Sequence, residues 1–397
     1  MKDRIAFLDG HRGLAILLVF GFHAFSRWPT RIPNGDCCAH VPVFHFGWLG
    51  VELFFLLSGF VILMTLDRCE RASVFFLRRW LRLFPAMLAC SLIIFCTASF
   101  FHERPAGAPG VDSLVPGLLF MDLTWVQRFL RHPIAPLEGS FWSLYVEVKF
   151  YVFAALVYFR FGRTALLKSL VGVAVFTLCA RMLHEVSDNS LVSHLDVLTQ
   201  DFGLDYWFWF AGGAAYYMYR ETAHDGWVWL ALACIPGGAL VLAGAPHHFL
   251  WDDFCFALGI GAVFAVSMHS ERVQALLNNR ILQFMGFISY PLYLLHENML
   301  IASLIKVAPR LPRELFPILP FALLVPLAAL AYLVARHVEP VLKARLGRWL
   351  GRFGAPRLAP AGSGGQSAGP LPSRAATPVA LPTPAEASGG AVSHAPE

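Results

Sequence analysis

The sequence predicts an all-α, polytopic membrane bundle of about ten spanning helices, and three observations predict it. The 397 residues are 57% hydrophobic and only 14% charged, where a soluble globular chain has about 25% charged residues. The apolar residues are gathered into runs close to the roughly 20 residues that cross a bilayer. Lys and Arg alternate between dense and sparse in successive polar connections, which fixes an orientation. Mean hydropathy is +0.58. The net charge of +5 is mostly this topology signal and gives no reason to expect nucleic acid.

The spans are expected at about 12–28, 47–66, 82–101, 141–159, 165–183, 203–219, 227–244, 250–268, 284–304 and 315–335. The first follows a polar stretch, Met1 to Arg12, with no evident cleavage site after it, so it is read as a retained anchor. The sixth looks interrupted by Gly212 and Gly213. The run from Leu114 to Met121 is too short to span and suits the interface. With the N-terminus inside, the inner segments hold 20 Lys and Arg and the outer segments eight. That ratio argues for an even number of spans, both termini cytoplasmic, and the cytoplasmic (inner) membrane as the location. Residues 1–350 form the membrane domain; 351–397, rich in Pro, Ala and Gly, read as a disordered cytoplasmic tail. The eight cysteines form no C-x-x-C pair, although Cys37 and Cys38 are adjacent in a loop.

The most informative stretch is Phe141 to Tyr151, which sets Glu147 and Lys149 inside an apolar run. A carboxylate moved from water into hydrocarbon costs several kcal/mol unless it is paired or protonated. Helical rise puts His23 about 16 Å beyond Arg12, and brings His23, Glu52, Glu147 and His296 to a similar depth in the bundle. A His and a Glu at one level can serve as a base and its orienting carboxylate; a lone buried His is as often a satisfied packing residue. At the inner face, Arg78 and Arg82 are four apart and share a helix side, with Arg79 beside both. Such a fork suits phosphates, with Trp80 and Phe84 available to stack on a ring, although basic clusters at helix ends are ordinary topology signals. The gap between the arginines and His23 matches the reach of a pantetheine arm. His247 and His248 with Asp252 and Asp253 fit a solvated loop better than a metal site, and no metal is expected. Trp207, Trp209, Trp227 and Trp229 read as interfacial belts or as surfaces for sugar rings.

These residues resemble the membrane acyltransferase family 3. Leu8 to Gly13 with Phe22-His23 resembles its opening signature, in which a basic residue precedes the key His by eleven positions, here Arg12 and His23. Gly50 to Phe55 with Ser58-Gly59-Phe60 resembles its second-helix motif. Arg78-Arg79 with Arg82 and Pro85 resembles its basic motif. Trp142-Ser143-Leu144, Glu147, Phe150 and Tyr151 resemble its fourth-helix motif, and Ser289-Tyr290, Tyr293-Leu294 and His296 its late motif.

The resemblance implies transfer of an acyl group, commonly acetyl from acetyl-CoA, across the membrane to a carbohydrate. It makes His23 the catalytic histidine, as base or acyl carrier, with Glu147 its acidic partner and Arg12 beside them. Arg78, Arg79 and Arg82 would hold the phosphates of acyl-CoA. Glu52, Ser58, Trp142, Tyr151 and His296 would support the site or the acceptor. This sequence departs from the pattern at His11, usually apolar, and at Val148-Lys149, which led us to expect Lys149 to neutralise Glu147 or tune the acceptor site. It departs again where Glu297-Asn298 follows His296 in place of a Pro two residues on. The rival class is a proton-coupled transporter or flippase using the same buried His and Glu as a relay; it predicts paired broken helices in two matching halves, which are not evident here.

Overall fold

The computed structural model describes residues 5–186, 189–245 and 248–352. Ten long helices stand at the ten predicted positions among these residues. They are α1 (Ala6–Gly21), α2 (Gly50–Leu66), α3 (Ala72–Thr97), α4 (Trp142–Phe161), α5 (Arg163–Val186), α6 (Trp207–Thr222), α7 (Gly226–Ala243), α8 (Trp251–His269), α9 (Arg280–Val307) and α10 (Leu319–Leu333). Seven helical stretches are long and apolar enough to cross a membrane by length and composition, and the chain is a polytopic, all-α integral membrane protein. The other three predicted spans miss that measure for readable reasons. α1 carries Asp9, His11 and Arg12, α6 is rich in Trp, Tyr and Gly, and α9 carries His296, Glu297 and Asn298 in its apolar middle. The only strands among the described residues are a two-residue ladder, Gly244 and Ala245 against Phe249 and His248, between α7 and α8.

Several boundaries differ from the sequence reading. α3 begins at Ala72, so Arg78, Arg79 and Arg82 lie within the helix and not ahead of it. Charged residues lower hydropathy without ending a helix, which is why the run read shorter than it is. α10 continues through a π turn, Val334–Val338, into α11 (Glu339–Arg352). Leu114–Leu119 is a short helix, as its length suggested, and Ser190–Phe202 is a helix with no counterpart in the span list. Of the four residues expected in a solvated loop, His247 lies outside the described residues, as do residues 353–397 of the expected tail. Cys37 and Cys38 are free thiols. Trp207 and Trp209 are core residues, not belts: Trp209 is wholly buried beside Gly238.

Gly212 and Gly213 do not interrupt α6, which runs unbroken from Trp207 to Thr222. They are where it packs. A Cβ on Gly213 would lie 1.8 Å from the Leu56 carbonyl oxygen of α2, and one on Gly59 of α2 would lie 2.0 Å from that of Phe210. Without a hydrophobic drive between helices in lipid, such close backbone approach is what holds them. The same device joins α1 to α9, one of the two most extensive helix pairs with α2–α6. Cβ atoms on Gly13 of α1 and Gly286 of α9 would lie 2.1 and 2.0 Å from the carbonyl oxygens of Leu282 and Asp9, and one on Gly10 would lie 2.1 Å from that of Leu277, in the short helix Glu271–Leu277 just before α9. Gly13 meets Leu282 and, further along both helices, His23 meets His296, so α1 and α9 run in the same direction, and the glycines set their register.

Gly286→Val is expected to force α1 from α9 and destabilise the protein by about 1–3 kcal/mol, read as a lower unfolding temperature in detergent. An unchanged temperature would mean the helices are not in backbone contact.

Candidate functional site

α1 does not stop at Gly21; it widens into a π turn, Phe22–Ser26, that carries His23. Such turns are rare and recur at functional sites. His23 Nδ1 lies 2.9 Å from the Val19 carbonyl oxygen and 3.2 Å from His296 Nε2. His296, wholly buried on α9, directs its Nδ1 at the Tyr293 carbonyl oxygen, 2.8 Å away. A carbonyl only accepts, so each Nδ1 carries a proton, as assigned from the hydrogen-bond network. His296 Nε2 is then an acceptor for His23 Nδ1–H. His23 Nε2 is left with its lone pair free, 3.7 Å from Glu297 Oε1.

Glu147 is not that carboxylate. It accepts from the Ser58 hydroxyl at 2.6 Å, with the Tyr151 hydroxyl a further donor, and it lines a different cavity. This cavity, of about 110 Å³, is also bordered by Arg12, Arg79, Arg82, Tyr290 and Ser289. A second cavity, of about 420 Å³, is bordered by His23, Arg27, Trp28, Trp48, Glu52, Trp142, Tyr206, Glu297 and Asn298. Val51 and Tyr293 line both, so the two lie back to back across one waist. There the Tyr293 hydroxyl donates to the Ser140 carbonyl at 2.9 Å and lies 2.7 Å from Ser143 Oγ. The one level expected for the four buried groups is therefore two: Glu147 stands with the arginines, while His23 and Glu52 stand in the wider cavity against the His296–Glu297 pair.

The arginine cluster is also rearranged. Arg79 and Arg82, three apart on α3, share the narrow cavity with Arg12. Arg78 points away, to the Arg68 carbonyl at 3.2 Å and the Cys69 sulfur at 3.5 Å, and it is not among the residues lining that cavity. Arg12 is paired with Asp9 at 2.8 Å, Arg82 with Glu339 of α11 at 3.0 Å, and Arg79 donates to the Thr65 hydroxyl. Trp80 and Phe84 stack on each other and line neither cavity. Lys149 neutralises Asp122 at 2.5 Å and donates to the Asp201 carbonyl, so it ties the outlying helices to α4 and leaves Glu147 alone. His11 is the satisfied packing histidine of α1, wholly buried, with Nδ1 at the Phe7 carbonyl and Nε2 3.2 Å from Ser267 Oγ.

The sequence reading missed Glu297 and the groups around it. Glu138, buried just before α4, accepts from the Asn298 backbone N–H at 2.7 Å and its side-chain amide at 2.8 Å. Three buried polar atoms that line the wide cavity make no hydrogen bond within the protein: Trp28 Nε1, Glu52 Oε2 and Glu297 Oε2. The rule that singled out Glu147, an ionisable residue inside an apolar helix, applies equally to Glu297.

Fold and cavities define an integral membrane protein with two polar cavities back to back in its helical core. The acyltransferase 3 family, described as an acyltransferase domain, matches residues 5–336, and the chain belongs to that family. Among similar proteins are the acyltransferase MdmB of Streptomyces mycarofaciens, 33% identical over 38% of this chain and 38% of that protein, and the peptidoglycan O-acetyltransferase OatA of Listeria monocytogenes, 24% identical over 36% of this chain and 22% of that protein. The matched stretch thus spans well under half the length of either relative. No solved structure matches the chain.

Proposed function

We propose that this protein is a membrane O-acyltransferase that moves an acyl group, acetyl in the simplest case, from cytoplasmic acyl-CoA to a hydroxyl of a carbohydrate on the other side. The single observation that carries the reading is the pair of cavities meeting at Val51 and Tyr293, arginines in one and the free His23 Nε2 in the other. The relatives' names support the chemistry: one is an acyltransferase and the other O-acetylates peptidoglycan, a glycan polymer.

On this reading Arg12, Arg79 and Arg82 take the CoA phosphates at the narrow cavity, where guanidinium groups match phosphate geometry. A space of about 110 Å³ suits a pantetheine arm and thioester and leaves the nucleotide at the mouth. The wide cavity takes the acceptor. Its aromatic walls, Trp28, Trp48, Trp142 and Tyr206, suit the apolar faces of a sugar ring. Its three unpartnered polar atoms suit hydroxyls, which both donate and accept. His23 Nε2 takes the hydroxyl proton as the acceptor oxygen bonds to the acyl carbon. The C–S bond breaks, CoA leaves as thiolate, and the imidazolium returns the proton to it. Glu147 with Ser58 and Tyr151 lies along the donor path and Glu52 in the acceptor pocket. The dense Lys and Arg at the α1 and α3 N-termini support a cytoplasmic side for the arginine cavity.

Membranes carrying the protein, supplied with radiolabelled acetyl-CoA and host envelope glycans, are expected to label a glycan. His23→Ala should lower that labelling by about 10²–10⁴-fold at equal protein level; labelling at the wild-type rate would sink the role. Arg79→Ala with Arg82→Ala should raise the acetyl-CoA KM at least about tenfold, whereas Arg78→Ala should leave it near wild type. A larger effect from Arg78 would overturn the donor-site assignment.

A further inference from the structure

We propose that Glu297, not Glu147, is the carboxylate that balances the charge of His23, as a positioning residue whose seat is built by Gly139, Glu138 and Asn298. Only the kinetic arm of the test below rests on the acyl-transfer reading.

The first ground is the proton inventory. His23 Nδ1–H is committed to the Val19 carbonyl and His296, so protonation of His23 adds its charge at Nε2. Glu297 Oε1 is 3.7 Å from that atom. Two lone pairs facing each other at that distance gain nothing; a proton on Nε2, or a hydroxyl donating into the gap, turns the contact attractive. The pair therefore fits a state in which Nε2 has just accepted a proton.

The second ground is the seat. Glu297 Oε2 and the Trp28 indole Nε1 are both buried and fall short of full hydrogen-bond geometry, with Trp28 Nε1 and the Ser140 backbone N–H the donors turned toward Glu297. A buried carboxylate oxygen short of partners is costly. Gly139 makes the room: a Cβ there would lie 2.6 Å from Oε2 and 2.9 Å from Oε1. Glu138, whose oxygens are occupied by Asn298, fixes the backbone of Gly139 against that of α9. The carboxylate is thus held at His23 from both sides, by its own helix and by the turn that opens α4.

The charged and titratable groups facing His23 are Glu297 and His296 from α9, Arg27 from the end of its own π turn, Glu52 from α2, and the hydroxyls of Tyr293 and Tyr206 across the cavity. Of the carboxylates in that set, Glu297 is the one paired with the ring.

The test reads His23 directly. Diethyl pyrocarbonate reacts with neutral imidazole, so the pH midpoint of His23 carbethoxylation, followed by mass spectrometry on the purified full chain, reports the stability of the imidazolium. Removing the negative charge disfavours the imidazolium, so in Glu297→Gln the neutral ring persists to lower pH. The midpoint is expected to fall by about one pH unit, while Glu147→Gln leaves it in place. Gly139→Ala keeps every titratable group and displaces the carboxylate, so it should move the midpoint the same way; it carries the test if Glu297→Gln does not fold. In the acetyl-CoA assay, Glu297→Gln should lower kcat at least tenfold with the acetyl-CoA KM unchanged, and Glu297→Asp should recover part of the loss. An unmoved midpoint in both Glu297→Gln and Gly139→Ala, or a shift with Glu147→Gln instead, overturns the pairing even if wild type transfers acetyl. A shifted midpoint in a protein whose wild type transfers none leaves the pairing standing and removes the acyl-transfer reading.

Discussion

The backbone contact of α1 with α9 is the constraint on which the rest depends. Gly13 and Gly286 bring two parallel helices to a separation at which carbonyl oxygens occupy the space a Cβ would need. Lipid tails give helices no hydrophobic reason to associate, so this proximity rests on dispersion contacts summed over the seam. The register it sets at one end decides what meets at the other. The π turn on α1 and the His296–Glu297 pair on α9 face each other because Asp9 and Gly286 touch lower down.

Around that seam the polar groups sort into two kinds. On the arginine side nearly every charge has a named partner: Arg12 with Asp9, Arg82 with Glu339, Glu147 with Ser58. The Arg12 and Arg82 side chains are 29% and 43% exposed, so such pairs exchange at modest cost. In the wider cavity the balance is reversed. Trp28, Glu52 and Glu297 keep polar atoms without a partner, a deficit that a hydroxylated ligand removes on binding.

The two histidines of α1 show how alike two histidines in different surroundings can look. His11 and His23 both give Nδ1 to a carbonyl four residues earlier. His11 finds Ser267 for its other nitrogen and is finished; His23 uses His296 to hold its Nδ1 side and keeps Nε2 open to a cavity. The difference lies wholly in what other helices bring.

The sequence by itself determined the membrane bundle, the helix positions within several residues, and the inventory of buried ionisable groups, because hydropathy and the cost of burying charge are local properties of a run of residues. It also placed His23 and the arginine-rich start of α3 in the site region. It did not determine how those groups divide. Depth along a helix was readable from a rise per residue, whereas the rotation of each helix was not, so Glu147 and His23 shared a level on paper and occupy separate cavities in the fold. Arg78 left Arg82 for another reason: four residues apart they face the same way to within about 40°, but Arg78 sits a turn nearer the start of α3 and bonds the Arg68 carbonyl and Cys69 sulfur there. Glycines that read as breaks in α6 became its packing surface. Tertiary structure alone decided that Glu297 meets His23, since that contact joins residues far apart in the chain through a register that only helix against helix can set.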